Sequence, residues 1–383
     1  MVNRTARSTA CIRANRTEHM TASREPLRVA LSMLTLVPGR IDGGGTYARE
    51  LVRTLGRSAT VDATAFVSRA AAGFSADVTE RVVNGVTGGA STPRVRTLVE
   101  AGLIRRGAIR RAQADFDVVH APFTIAVPPA PSGVPLVQTM FDLQHLDFPQ
   151  FFGRTQLMYR KYFYERTARK AAAVITISEF SKDRIIHHLG VPPEQVFVAH
   201  LGVDLSAFTP YLGERENFLL YPATAGGHKN HASLIAGMGI LREHDPTLRL
   251  VLTGGALGSL GVLPDWVDVR GVVTVEELRA LYGSARALVF PSLYEGFGLP
   301  LLEAMAAGCP VVSSNAGSLP EVCGDAGVLF KPHDPSDLAR AVTEATGRSA
   351  DLQRLGLERV SQFSWERCAA VHEQAYRFAA SCG

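Results

Sequence analysis

Lysine is scarce in this chain: only Lys161, Lys170, Lys182, Lys229 and Lys331 among 40 basic residues, the rest being arginine. With heavy use of Ala, Gly and Val, that bias fits a bacterial genome rich in G and C. It also makes a lysine inside a motif notable, since arginine is the default. Cysteine is scarce too. Cys11, Cys309, Cys323, Cys368 and Cys382 are odd in number and lack metal-ligand spacing, so free thiols in a reducing, cytoplasmic compartment are expected and no metal site is. No apolar run approaches the roughly 18 residues of a membrane span. The net charge of +4 is too mild to suggest a nucleic-acid binder. A GxGxxG turn and a GxxxxGK[ST] loop are both missing, which argues against an ordinary dehydrogenase or kinase.

What remains is an ordinary globular composition, 46% hydrophobic and 20% charged over 383 residues, long enough for two domains. The first 25 residues are Arg-, Thr- and Ser-rich without an apolar core for secretion. They are expected to be a disordered tail, or residues 1–19 of them to precede a true start at Met20. From Leu27 short β-branched runs alternate with helical stretches: LRVALSML (27–34), VDATAFV (61–67), DVVHAPF (117–123), PLVQTMFD (135–142), AAVITIS (172–178) and VFVAHLGV (196–203). A second series follows: FLLYPAT (218–224), LRLVLTGG (248–255), VDVRGVV (267–273), ALVFPS (287–292), VVSS and GVLF (327–330). This pattern predicts two doubly wound α/β domains joined near 204–216, with ligands at the carboxyl ends of the strands and in the cleft between.

The stretch YEGFGLPLLEAMAAGCPVVSS, from residue 294, follows a buried strand. Gly296 and Gly298 loosen the chain, Pro300 stands early in a helix and Gly308 ends it. A glycine loop feeding a helix N-terminus is a site for an anion. Glu295 would stand in its mouth and Glu303 about a turn and a half inside. A solvated surface position is the usual fate of a glutamate, but the apolar LPLLEAMAAG helix fits that poorly around Glu303, because an unpaired buried carboxylate is costly.

These residues resemble the donor half of glycosyltransferase family 4, the retaining transferases of GT-B fold. The similarity rests on Glu295 and Glu303 eight apart, on HLGVD (200–204), YPATAGGHKNHASL (221–234) and LTGG, and on the run through 291–342. It implies a GT-B fold of two facing Rossmann-like domains. Residues 26–205 would bind the acceptor and 206–362 the nucleotide-sugar, with 363–383 a helix crossing back to the first domain. The resemblance implies that Glu303 holds the ribose and Glu295 faces the transferred sugar. Gly296, Phe297, Gly298 and Leu299 would cradle diphosphate or sugar oxygens, and Gly271, Val272 and Val273 would touch the base. Lys229 would meet the leaving diphosphate. The family's arginine upstream of that lysine is replaced by TAGG, leaving His228 or a distant arginine as second donor. Gly43, Gly44, Gly45 and Thr46 would lie beside phosphates and acceptor. Where the family commonly has a histidine before the aspartate of 139–152, this chain has Phe141; Asp142, His145 and His120 are the candidates for its role.

The resemblance implies a retaining hexosyltransferase without cofactor or metal, taking a nucleotide-diphosphate sugar as co-substrate. The acceptor would be a glycan, a lipid-linked sugar or a small molecule such as an aminocyclitol, in polysaccharide or natural-product assembly. A GDP-mannose-like donor is favoured over UDP-hexoses. A sugar-nucleotide 2-epimerase, and a non-catalytic or cyclitol-coupling relative, are the alternatives. The triplet Asp115-Phe-Asp117 precedes a strand and reads as strand-capping polarity. The stretch 94–113 carries six arginines against Glu100 alone; it reads as a solvated helix face, a hold for an anionic acceptor, or a contact with anionic lipid at the inner face of the membrane.

Overall fold

The computed structural model describes residues 25–38 and 43–382; all but the last residue of the expected tail lies outside the described residues. Seven strands form the first sheet: β1 (Leu27–Met33), β2 (Val61–Val67), β3 (Thr79–Val82), β4 (Val118–Ala121), β5 (Leu136–Thr139), β6 (Ala173–Thr176) and β7 (Val196–Val198). Six form the second: β8 (Glu216–Pro222), β9 (Arg249–Thr253), β10 (Val267–Gly271), β11 (Ala285–Phe290), β12 (Val311–Ser314) and β13 (Gly327–Phe330). The orders are 3-2-1-4-5-6-7 and 10-9-8-11-12-13, and the pairings are parallel, as in β1 with β2 and β4, and β11 with β8 and β12. Helices cover the faces, so the central strands are apolar on both sides; Val29, Leu31, Leu219, Leu288 and Val289 are sealed from solvent. This is the expected pair of doubly wound units.

Each sheet reverses its winding at one place, between β1 and β4 and between β8 and β11. Loops leaving such a pair diverge to opposite faces and open a crevice at the strands' carboxyl ends. Asp117 lies at the other end. Its carboxylate takes the Arg28 main-chain N–H at 2.8 Å and the guanidinium at 3.0 Å, which ties the starts of β1 and β4 together. Among the described residues no three His, Cys, Asp or Glu side chains gather as a metal-ligand group, and no described helix is long and apolar enough to cross a membrane. Cys309, Cys323 and Cys368 are free and buried, as expected of them; Cys11 lies outside the described residues.

The last helix, Trp365–Ser381, starts at Ser364, whose side chain accepts from the Arg367 N–H. It packs back onto the first sheet through a buried chain of polar groups. Tyr376 Oη lies 2.8 Å from His120 Nδ1 on β4, His120 Nε2 lies 2.8 Å from Thr139 Oγ1 on β5, and Thr139 Oγ1 lies 2.8 Å from Tyr47 Oη. Tyr47 Oη lies 2.7 Å from His372 Nε2, and His372 Nδ1 lies 2.8 Å from the Cys368 carbonyl. A carbonyl only accepts, so His372 Nδ1 donates and its Nε2 accepts from Tyr47. Tyr47 then accepts from Thr139, Thr139 from His120, and His120 from Tyr376. Every group is satisfied once, with one direction throughout.

Candidate active site

The chain leaves β8 through a turn, Gly227–Lys229, that closes on Asn230 with φ +55°. Asn230 Nδ2 donates to the carbonyls of Pro291 and Pro332 at 3.1 and 2.7 Å, and Tyr221 Oη donates to the Lys229 carbonyl at 2.8 Å. Lys229 is thereby anchored across the crevice from the loop after β11. Its Nζ meets Glu295 Oε1 at 2.5 Å, with both side chains mostly buried. The two residues are 66 apart in sequence, and the reversal between β8 and β11 is what brings them together.

Serines hold the loop 295–298 by its carbonyl oxygens. The Ser318 hydroxyl shares its one hydrogen between Glu295 O at 3.0 Å and Phe297 O at 2.9 Å, and Ser178 Oγ, from the first half, donates to Gly296 O at 2.8 Å. The amide N–H groups of Gly296, Phe297 and Gly298 find no acceptor among the described residues. They stand at the N-terminus of the helix Leu299–Ala306, an arrangement that attracts negative charge. Only glycine fits at 296, because a Cβ there would come within 2.6 Å of the Phe141 carbonyl oxygen. Gly298 has φ +103°, a conformation that glycine adopts without strain.

Inside the helix, Glu303 Oε2 accepts from Tyr282 Oη at 2.8 Å; Oε1 has no partner among the described residues. Burial pushes the Glu303 carboxyl above its usual range, against the Tyr282 hydroxyl and the Arg279 charge. Asp142 joins the group from the first half. Burial pushes its carboxyl up and the Glu295 charge adds to this, while the Gln144 amide, Arg160 and Lys229 oppose it. Burial, and then the charge of neighbouring Lys229, push the His228 pKa down, against the Glu295 charge. Gly271, with φ +65°, accepts through its carbonyl from Gly254 N at 2.7 Å, and Val272 is exposed beyond it.

Two proposed histidines do not reach this group. His120 is fully buried in the chain of hydrogen bonds to the last helix, with both ring nitrogens engaged. His145 is sealed between Phe152 and Tyr164 with Glu165 at 3.7 Å, and burial holds its pKa down at about 4. Phe141 stacks edge-on against Tyr47 with ring centroids 5.1 Å apart. On its far side is a cavity of about 210 Å³ lined by Gly44, Gly45, Leu34, Phe123 and Tyr159, which opens at the first sheet's own reversal. Gly43 and Thr46 begin the helix Gly43–Leu55 beside it. Sequence reasoning did not single out Tyr282, Ser318, Ser178 or Glu321. Glu321 fastens the halves together, accepting from the amides of Glu179 and Phe180 at 2.9 and 3.2 Å and from His200 at 2.6 Å.

A model described as Glycosyltransferase Family 4 matches residues 41–207 and one described as Glycosyl transferases group 1 matches 217–347. A protein of Mycolicibacterium hassiacum named MMP alpha-(1->4)-mannosyltransferase is 34% identical, over 79% of this chain and 80% of its own length. The chain belongs to glycosyltransferase family 4. The O-antigen chain mannosyltransferase B of Escherichia coli is 30% identical over 63% of this chain and 70% of that one. Among solved structures of this family 4 chain's fold, sucrose-phosphate synthase from Thermosynechococcus elongatus superposes with TM-score 0.72 at 21% identity, covering 92% of this chain and 98% of that one. The architecture is GT-B.

Proposed function

We propose that this chain is a retaining, metal-independent hexosyltransferase that moves a sugar from a nucleotide diphosphate to a sugar-containing acceptor, GDP-mannose being the first donor to try and UDP-hexoses the second. The observation that carries the reading is the Lys229–Glu295 pair beside three amides that have no acceptor among the described residues, with Glu303 in the helix that follows them. In this scheme Glu303 Oε1 accepts from ribose hydroxyls while Tyr282 fixes its other oxygen. The amides of Gly296, Phe297 and Gly298 take diphosphate oxygens, and Lys229 swings from Glu295 to the leaving phosphate as charge develops there. Glu295, released, faces the hexose and stabilises positive charge at its anomeric carbon. A lysine, the amides and a helix N-terminus supply the positive charge that a metal would otherwise bring. The acceptor hydroxyl attacks from the face that the phosphate leaves, and the departing phosphate takes its proton, so the scheme needs no strong protein base. The names of the two mannosyltransferase relatives support mannose.

Calorimetric titration with UDP, GDP, ADP and their hexose conjugates, without added metal, tests this. Binding of one nucleotide, followed by NMR of the product's anomeric configuration, is expected to give the donor and retention. No binding by any of them, or an inverted product, would overturn the reading.

A further inference from the structure

We propose that the face formed by residues 94–106 and 154–166 is a docking surface for an anionic lipid bilayer. The two segments are neighbours in space: Arg94, Thr97 and Leu98 from one and Tyr159 and Tyr164 from the other line the same cavity. Their outer sides expose large apolar side chains. Val95, Leu103, Ile104, Met158 and Tyr162 are between 58% and 72% exposed, and Val99 joins them at 40%. Val95, Val99 and Leu103 recur every four residues and Met158 and Tyr162 are also four apart, so each set stands on one helical face.

Charge decides what such a face meets. Within 94–113 the one acid is Glu100 and within 154–170 it is Glu165, and the fold turns both inward. Glu100 accepts from the Thr87 amide at 2.6 Å, the Thr87 hydroxyl at 3.0 Å and Arg96 Nε at 2.8 Å. Those bonds hold its carboxyl below the usual range. Glu165 is buried against His145 and bonded by Arg169 at 3.2 Å. The outward charges are therefore positive: Arg94, Arg105, Arg106, Arg154, Lys161 and Arg166 are all exposed. Apolar side chains interleaved with cations, without acids, suit the boundary of an anionic bilayer, where the apolar groups enter the acyl region and the cations meet headgroups. An acidic protein partner would match the cations but leave this many apolar side chains unmatched. The inference stands on its own and does not depend on which sugar is transferred.

Co-sedimentation of the full chain with vesicles of phosphatidylcholine alone, or mixed with phosphatidylglycerol, at low and high salt tests it. Pelleting with the anionic vesicles and not the neutral ones, weakening with salt, is expected. The exposed double variant R106Q/K161Q should weaken binding about fivefold per lost charge. A second variant, L103Q/I104Q, should weaken it too, and both should keep the wild-type Tm. Equal binding to neutral vesicles, no binding to anionic ones, or unaltered binding by both variants would overturn the proposal. So would sedimentation velocity showing a dimer that both variants dissolve, since the face would then join two copies of the chain.

Discussion

Glu303 shows how one residue trades stability for binding. Burial raises its pKa in the folded chain, so the folded form holds its proton to higher pH than the unfolded form does. Stability on this account is greatest below the ordinary carboxylate range and is lost as pH rises through the raised value. At neutral pH a glutamine of the same shape avoids that loss. E303Q should therefore raise the Tm of the ligand-free protein by roughly 1–2 °C while weakening nucleotide binding at least tenfold, read by calorimetry on the same sample; a variant lower in both would show a merely structural carboxyl. Glu295 lies at the other end of the helix mouth, and E295Q should spare nucleotide affinity but cut turnover by 10²-fold or more, seen as a fall in kcat at constant KM for the donor. Glu295 and Glu303 could be picked out as candidates because their spacing and flanking glycines are local, and Lys229 because a lysine inside a motif stands out in an arginine-rich chain; that Lys229 meets Glu295 across 66 residues was not readable. Nor was Tyr282: nothing in its neighbourhood says that a helix 21 residues later will present a carboxylate to its hydroxyl.

At the scale of elements, the six strands of the second sheet could be read as apolar runs, as could six of the seven in the first. β3 escaped because TERV is short, polar and on the sheet edge, with three of its four residues exposed, so no hydrophobic pattern marks it. His120 misled for the opposite reason. It ends a strand as a catalytic residue might, but its partner Tyr376 comes from a helix 256 residues on. That helix makes the buried chain sensitive to acid. Burial holds His120 well below its ordinary value and His372 at about 4, so between pH 6.5 and about 4 the unfolded chain binds protons that the folded one refuses. Stability is intact above pH 6.5 and falls with pH across that window, by about 1.4 kcal/mol per pH unit for each such histidine. H372Q should remove one histidine's share of that slope in urea unfolding followed from pH 7 to 4.5; an unchanged slope would show that His372 is protonated in the fold. Y376F should cost about 1–3 kcal/mol at neutral pH by stranding His120 Nδ1, measured the same way.

Across the whole molecule, the order of residues and the order of packing disagree. Residues 26–205 contribute every strand of the first sheet, but its polar chain begins at Tyr376 and ends at the Cys368 carbonyl, both on the helix Trp365–Ser381. A chain ending before Ser364 should lose cooperative melting, because Tyr47, Thr139 and His120 would face open space; a sharp melt in that shortened chain would mean that the helix only decorates the sheet. The same layout sets a schedule for synthesis. About 160 residues separate the end of the first half from Ser364, and at ~5–20 residues per second they occupy a ribosome for roughly 10–30 s. Throughout that wait the first sheet has been made but its closing piece has not, and it is the half of the newborn protein that most needs a chaperone's cover.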